Sequence, residues 1–310
     1  MINALVLGLL GCVPRYHASP ALRPADLYSP LPVQHLRVDG VDIAYVDSGG
    51  SGPPLVFVHG LSSYMGFWEH QLPAFAGDHR VLALDLPGYG ASARPDAPYT
   101  PPWYADVLAG FLDEVGLDSA TFVGHSMGGQ VVMTLALEHP DRVDALVLSA
   151  PAGFEAIQPG HAAWMKAFWT EGRAMQSREE DIRVTFTNHV FNHYDEGVER
   201  LIEERVRLGR HPDFAGTSVA VSRSVAGMLD HPVLDRLGEL RAPTLIVFGS
   251  DDRMIPNPVF NGGRTRTVAE AGHAAIVQSE LVLIDEAGHT VHHDAPERFN
   301  EAVSDFLEGL

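Results

Sequence analysis

The stretch from Thr121 to Glu138 restricts the fold more than any other part of the chain. Ala120-Thr121-Phe122-Val123 is apolar enough to be a strand buried on both faces, and Gly124-His125-Ser126-Met127-Gly128 turns it sharply into the apolar helical run Met127 to Glu138. A strand of that kind belongs in a parallel sheet covered by helices on both sides. The turn tolerates almost no side chain at the two glycines flanking Ser126. A serine held there is pushed out of the sheet with its hydroxyl exposed and helix amides behind it, which is the position of a nucleophile. A chain with 30 glycines can also contain G-x-S-x-G by chance, so the surrounding sequence has to discriminate.

It does so first through its hydrophobic pattern. Val33 to Val38 and Val41 to Val46 alternate apolar and polar residues about Asp39-Gly40, the pattern of a half-exposed antiparallel hairpin. Leu55 to Val58, Val81 to Leu84, Ala145 to Leu148, Thr244 to Phe248 and Leu281 to Ile284 are short, nearly continuous apolar runs. Helical spacing over Phe67 to Phe75, Trp103 to Val115, Met127 to Glu138 and Ala295 to Leu307 alternates with them. The expected fold is a three-layer α/β architecture with a mostly parallel sheet of about eight strands. Between Pro151 and Arg241 no strand pattern occurs, whereas Ala162 to Phe168, Glu179 to His193, Gly197 to Leu208 and Ser218 to Leu229 carry helical spacing. An interval of that length reads as an inserted helical cap over the carboxyl ends of the strands. The expected organisation is an N-terminal extension over 1–32, a core over 33–152 and 241–310, and the cap over 153–240.

Charge and cysteine content narrow the partners. With a formal net charge of −19 and a single lysine, Lys166, the chain lacks the basic face that nucleic acid or an anionic membrane would require. The one cysteine excludes an internal disulfide and a cysteine-based metal cluster. That residue, Cys12, follows the apolar run Ile2 to Leu10 and precedes a Pro-, Ala- and Ser-containing stretch without periodicity. The arrangement resembles the lipobox of bacterial lipoproteins, which implies a lipid anchor at Cys12, a flexible tether after it and an extracytoplasmic location; the other reading is an unmodified extension on a cytoplasmic protein.

Five motifs in order resemble the serine-nucleophile branch of the α/β-hydrolase fold superfamily over residues 33 to 310: His59-Gly60-Leu61, Asp85-Leu86-Pro87-Gly88-Tyr89-Gly90, the turn at Ser126, Ser250-Asp251-Asp252 before Pro256, and Gly288-His289 after the last strand. The resemblance implies Ser126 as nucleophile, His289 as general base and Asp252, four residues before the proline, as the acid that orients it. It also implies an oxyanion hole from the backbone amides of Leu61 and Met127. Asp251 is then a solvated loop residue or a helper, Asp85 a loop-holding residue, and His273 a decoy that precedes the last strand. His125 is expected to pack or hydrogen-bond, and His292 and His293 to be loop residues. Trp164, Phe168, Trp169, Phe186, Phe191 and Met228 are read mainly as core of the cap.

The implied activity needs no cofactor and no metal. It is hydrolysis of a carboxylic ester with a hydrophobic moiety through an acyl-enzyme. Hydrolysis of a carbon–carbon bond in meta-cleavage-type products is the alternative, with lactonase or perhydrolase chemistry beside it. A reading of a different class is a non-catalytic ligand-binding protein on the same fold. The expected partner is a small-molecule substrate.

Overall fold

The structure is a computed structural model and describes residues 14–310, so the apolar run and Cys12 lie outside the described residues. Eight strands form one sheet: β1 (Gln34–Val38), β2 (Val41–Asp47), β3 (Pro54–Val58), β4 (Arg80–Leu84), β5 (Ala120–His125), β6 (Val143–Ser149), β7 (Thr244–Gly249) and β8 (Ser279–Ile284). Their order across the sheet is β1-β2-β4-β3-β5-β6-β7-β8. β1 and β2 form the antiparallel hairpin and β2 joins β4 antiparallel, while every pairing from β4 through β8 is parallel.

Alternation of side chains along the buried strands splits the core into two layers. Phe122, Leu146, Leu148, Ile246 and Phe248 point to one face, where α2 (Pro101–Glu114) and α3 (Met127–Glu138) cover them. Val123, Ala145, Val147, Leu245 and Val247 point to the other, against α1 (Gln71–Phe75) and the last helix. The helix expected over Phe67 to Phe75 is two pieces, a 3-10 turn Met65–Trp68 and then α1.

Between β6 and β7 the chain forms α4 (Pro159–Phe168), α5 (Glu171–Met175), α6 (Glu179–Thr185), α7 (Glu196–Leu208) and α8 (Phe214–Asp230). The expected helix over Glu179 to His193 stops at Thr185, continues as a π turn over Phe186–Val190 and ends at Phe191, whose backbone is extended. Ile182, Phe191, Val198, Leu201, Ile202 and Val206 pack on Tyr64 and Phe67, which follow β3, so this helical segment sits on the loop that carries Leu61. Trp164 departs from the core reading: it is 49% exposed and stacks on Phe168. α9 (Thr265–Ala275) holds His273 before β8; α10 (Val291–Asp294) and α11 (Pro296–Glu308) end the chain.

The stretch read as a flexible tether is seated from Pro14 onward. The Tyr16 and His17 amides donate to Glu179 Oε2 at 2.9 and 2.7 Å, Leu22 N–H to the Arg207 carbonyl at 3.2 Å, and Tyr28 N–H to Glu204 Oε1 at 2.8 Å. Backbone donors that lack partners in one another find them in α6 and α7. Among the described residues no helix is long and apolar enough to cross a membrane.

Candidate active site

Ser126 follows directly on β5 and precedes α3, with φ 53° and ψ −116°, a left-handed conformation uncommon for a residue with a side chain. The strain is held by the surrounding backbone: Ser126 N–H donates to the Ser149 carbonyl at 3.0 Å and its own carbonyl accepts from Ala152 N–H at 2.9 Å. The glycines at the turn are required sterically. A Cβ on Gly128 would lie 2.4 Å from the Val58 carbonyl oxygen, and one on Gly124 would lie 2.7 Å from that of Gly128. Both contacts are with backbone, which cannot swing aside.

Loops from the carboxyl ends of three other strands converge on this hydroxyl. His289, after β8, has Nε2 at 3.0 Å from Ser126 Oγ and Nδ1 at 2.9 Å from Asp252 Oδ2, after β7. A carboxylate only accepts, so Nδ1 carries the hydrogen that bonds Asp252, and Nε2 of the neutral ring accepts from the serine O–H. Asp252 is held in turn, its Oδ1 accepting from the amides of Met254 at 2.7 Å and Ile255 at 3.0 Å. Asp252 and His289 are buried, whereas Ser126 remains partly exposed to whatever enters. Asp251 is exposed to solvent.

Beside Ser126 runs the loop after β3, where a Cβ on Gly60 would lie 3.2 Å from the Ser126 Cβ; among the described residues the amides of Leu61 in this loop and of Met127 at the start of α3 donate to no protein acceptor. His59 fixes this loop. Leu86 N–H donates to His59 Nε2 at 3.0 Å, so the ring's hydrogen is on Nδ1 and donates to the Gly60 carbonyl at 2.8 Å. Burial, partly opposed by that carbonyl, pulls the His59 pKa down to about 4, which keeps it neutral. Asp85 is likewise a holding residue. Its carboxylate accepts from the Met65 and Ala91 amides at 2.7 Å each, while burial pushes its pKa up to about 6.

His292 and His293 are not loop residues; both lie in α10 and are buried. His292 packs against the Trp68 ring at 4.1 Å and its Nδ1 meets Ser149 Oγ at 3.1 Å. His125 Nε2–H donates to the His289 carbonyl at 3.1 Å. Burial foremost, then the neighbouring imidazoles, lowers the pKa of both His125 and His292 well below the ordinary histidine value. They form a neutral layer beneath His289.

One supporting residue had no signal in the motif pattern. Asp294 accepts from the Gly288 amide at 2.8 Å and from those of Asn192 and His193 at 3.0 Å, so it grips the loop bearing His289 and the connection between the π turn and α7 together. The only available hint was an acid just before the Ala295-Pro296 helix start.

Chemically, the arrangement combines a hydroxyl beside an imidazole, a carboxylate behind that imidazole, and two backbone amides in the adjoining segments that lack a protein acceptor among the described residues. Such a set can take a proton from a nucleophile and hold negative charge developing on a carbonyl oxygen. A sequence model of the family described as alpha/beta hydrolase fold matches residues 53–296. The 2-hydroxymuconate semialdehyde hydrolase of Pseudomonas sp. strain CF600 is 31% identical over 265 residues, covering 83% of this chain and 88% of the relative. The dihydrolipoyllysine-residue acetyltransferase component of the acetoin cleaving system of Cupriavidus necator is 30% identical over 253 residues; the match covers 77% of this chain and only 64% of that protein. The crystal structure of a "probable hydrolytic enzyme" from Pseudomonas aeruginosa PAO1 superposes with a TM-score of 0.84 at 25% identity, covering 93% of this chain and 98% of that one.

Proposed function

We propose, for a chain that belongs to the α/β-hydrolase fold family, a serine hydrolase that cleaves a carboxylic ester with a hydrophobic moiety through an acyl-enzyme. The observation that carries this reading is the continuous hydrogen-bonded chain from Asp252 through His289 to Ser126, at 2.9 and 3.0 Å. In the proposed cycle His289 Nε2 takes the Ser126 proton as Oγ bonds to the ester carbonyl carbon. The carbonyl oxygen, now anionic, sits against the Leu61 and Met127 amides, each such donor contributing about 3 kcal/mol. Collapse breaks the bond to the alkoxy group, which leaves with the proton from His289. Water, deprotonated by the same nitrogen, then releases the acid and restores Ser126. Residues 153–240 act as a cap that supplies the apolar wall, a role supported by their packing on Tyr64 and Phe67.

Labelling with a fluorophosphonate tests the nucleophile. The expected result is one adduct on Ser126, none in Ser126→Ala, and a loss of turnover of about a millionfold in that variant with folding intact. A folded wild-type protein in which Ser126 stays unmodified leaves the non-catalytic reading.

The similarity to the semialdehyde hydrolase supports a second reading, hydrolysis of a carbon–carbon bond beside a carbonyl by the same three residues. Rates on p-nitrophenyl esters of graded acyl length, set against a dienone meta-cleavage product, separate the two. Turnover of the dienone far above every ester would overturn the ester assignment and leave Ser126 in place.

A further inference from the structure

Three ligand-type side chains that the ester chemistry does not use converge where the helical segment meets the core. Glu69 follows the 3-10 turn Met65–Trp68, His70 precedes α1, and His293 lies in α10. One ligand atom from each lies within 4.8 Å of the others. His293 Nε2 is 3.4 Å and His70 Nε2 4.0 Å from Glu69 Oε1.

His293 is the residue that needs an explanation. Its side chain is fully buried, yet Nδ1 has no hydrogen-bond partner and Nε2 has only the Glu69 carboxylate, at a long 3.4 Å. A buried donor or acceptor left unmade is destabilising, and a phenyl ring would occupy the same space beside Phe191 without that cost. An imidazole aimed at a carboxylate and a second imidazole is accounted for by a positive ion among the three.

We propose that Glu69, His70 and His293 form a binding site for a divalent cation of the zinc type, distinct from Ser126. Two imidazole nitrogens and one carboxylate oxygen match the donor preference of zinc or cobalt, whereas calcium and magnesium require mainly oxygen. His70 is 37% exposed at its side chain, which leaves a path for the ion and a coordination position for water. Arg200 Nη2 donates to Glu69 Oε1 at 2.6 Å and competes for the carboxylate, so the site is weaker than a dedicated structural one. An ion held there ties the turn after the Leu61 loop to the short helix after His289. No step at Ser126 passes through it, and its failure would leave the hydrolase reading untouched.

The test uses the full chain, stripped with a chelator and titrated with cobalt(II), followed by visible absorption and calorimetry. One cobalt bound per chain, with visible d–d bands that disappear as zinc displaces it, is the expected result. His293→Phe and His70→Ala each weaken this binding by about 10–100-fold or more, while Arg200→Gln, which removes the competing cation, strengthens it. Zinc raises the melting temperature of the wild type and not of His293→Phe. Where His293→Phe does not fold, Glu69→Gln and His70→Ala carry the comparison. Cobalt binding that is the same in every ligand variant would assign it to surface histidines and overturn the proposal, as would the absence of d–d bands at millimolar cobalt.

Discussion

Asp251 and Asp252 are chemically identical neighbours, and the backbone alone makes them different. Asp251 faces water, while Asp252 is buried with both oxygens engaged by N–H donors. Asp252→Asn keeps the shape but offers an amide toward His289 Nδ1, which favours the wrong tautomer. The expected cost is about 10⁴-fold in kcat, with Asp251→Asn within a small factor of wild type. Steady-state kinetics of the two variants check this, and a larger loss at Asp251 would reverse the assignment. In the sequence it was the family resemblance, with its acid four residues before the proline, that singled out Asp252. No spacing could show that His59 accepts from the Leu86 amide, because its partner is settled only when two loops pack.

At the scale of elements, the loop bearing His289 is not held by β8 alone. Thr290 N–H and Oγ1 both donate to the Val190 carbonyl, at 3.1 and 2.7 Å, and Asp294 bridges Gly288 to Asn192 and His193. The π turn Phe186–Val190 therefore serves as an abutment for the loop bearing His289. Asp294→Ala strands these amides in a poorly hydrated place, so stability should fall by about 2–4 kcal/mol. Asp294→Asn, which retains one acceptor oxygen, should lose less. Urea unfolding measures the stability order, and a fall in kcat at unchanged KM would mark the drift of His289. The helical nature of the segment was legible in its 3.6-residue periodicity. Its interruption at Thr185 was not, because a π turn keeps helical spacing while shifting the register of the residues after it.

At the scale of the molecule, acid stability follows from histidines that the fold keeps neutral. An unfolded histidine protonates near pH 6.5, whereas His59 in the fold does so only at about 4. Between these values the unfolded chain binds the extra proton, so the contribution of a neutral His59, fully present above about pH 6.5, is lost as pH falls toward about 4. His125 and His292 shift in the same direction, each adding a slope of up to about 1.4 kcal/mol per pH unit. Asp85 acts in the opposite sense below about pH 6, where the native carboxyl keeps a proton that the unfolded one has lost; Glu155 and Glu204, also raised by burial, oppose in the same way. The urea midpoint should thus drop from pH 7.5 to 6 and, in His292→Phe, drop less over the same interval. Equal slopes in the two proteins would mean that His292 does not stay neutral.

The amino-acid sequence by itself determined the layered sheet, the serine at its sharpest turn, and the order of the groups brought to it. Strand hydrophobicity, helix periodicity and the sharp glycine-flanked turn are written in runs of a few residues. Only the tertiary structure decided that His125 and His292 form a neutral layer under His289 while His70 and His293 gather at Glu69. It also decided that Asp294 anchors the His289 loop and that residues from Pro14 onward lie against α6 and α7. These are contacts between distant parts of the chain, such as Tyr16 with Glu179 across 163 positions. Their partners are chosen by packing, which leaves no local pattern to read.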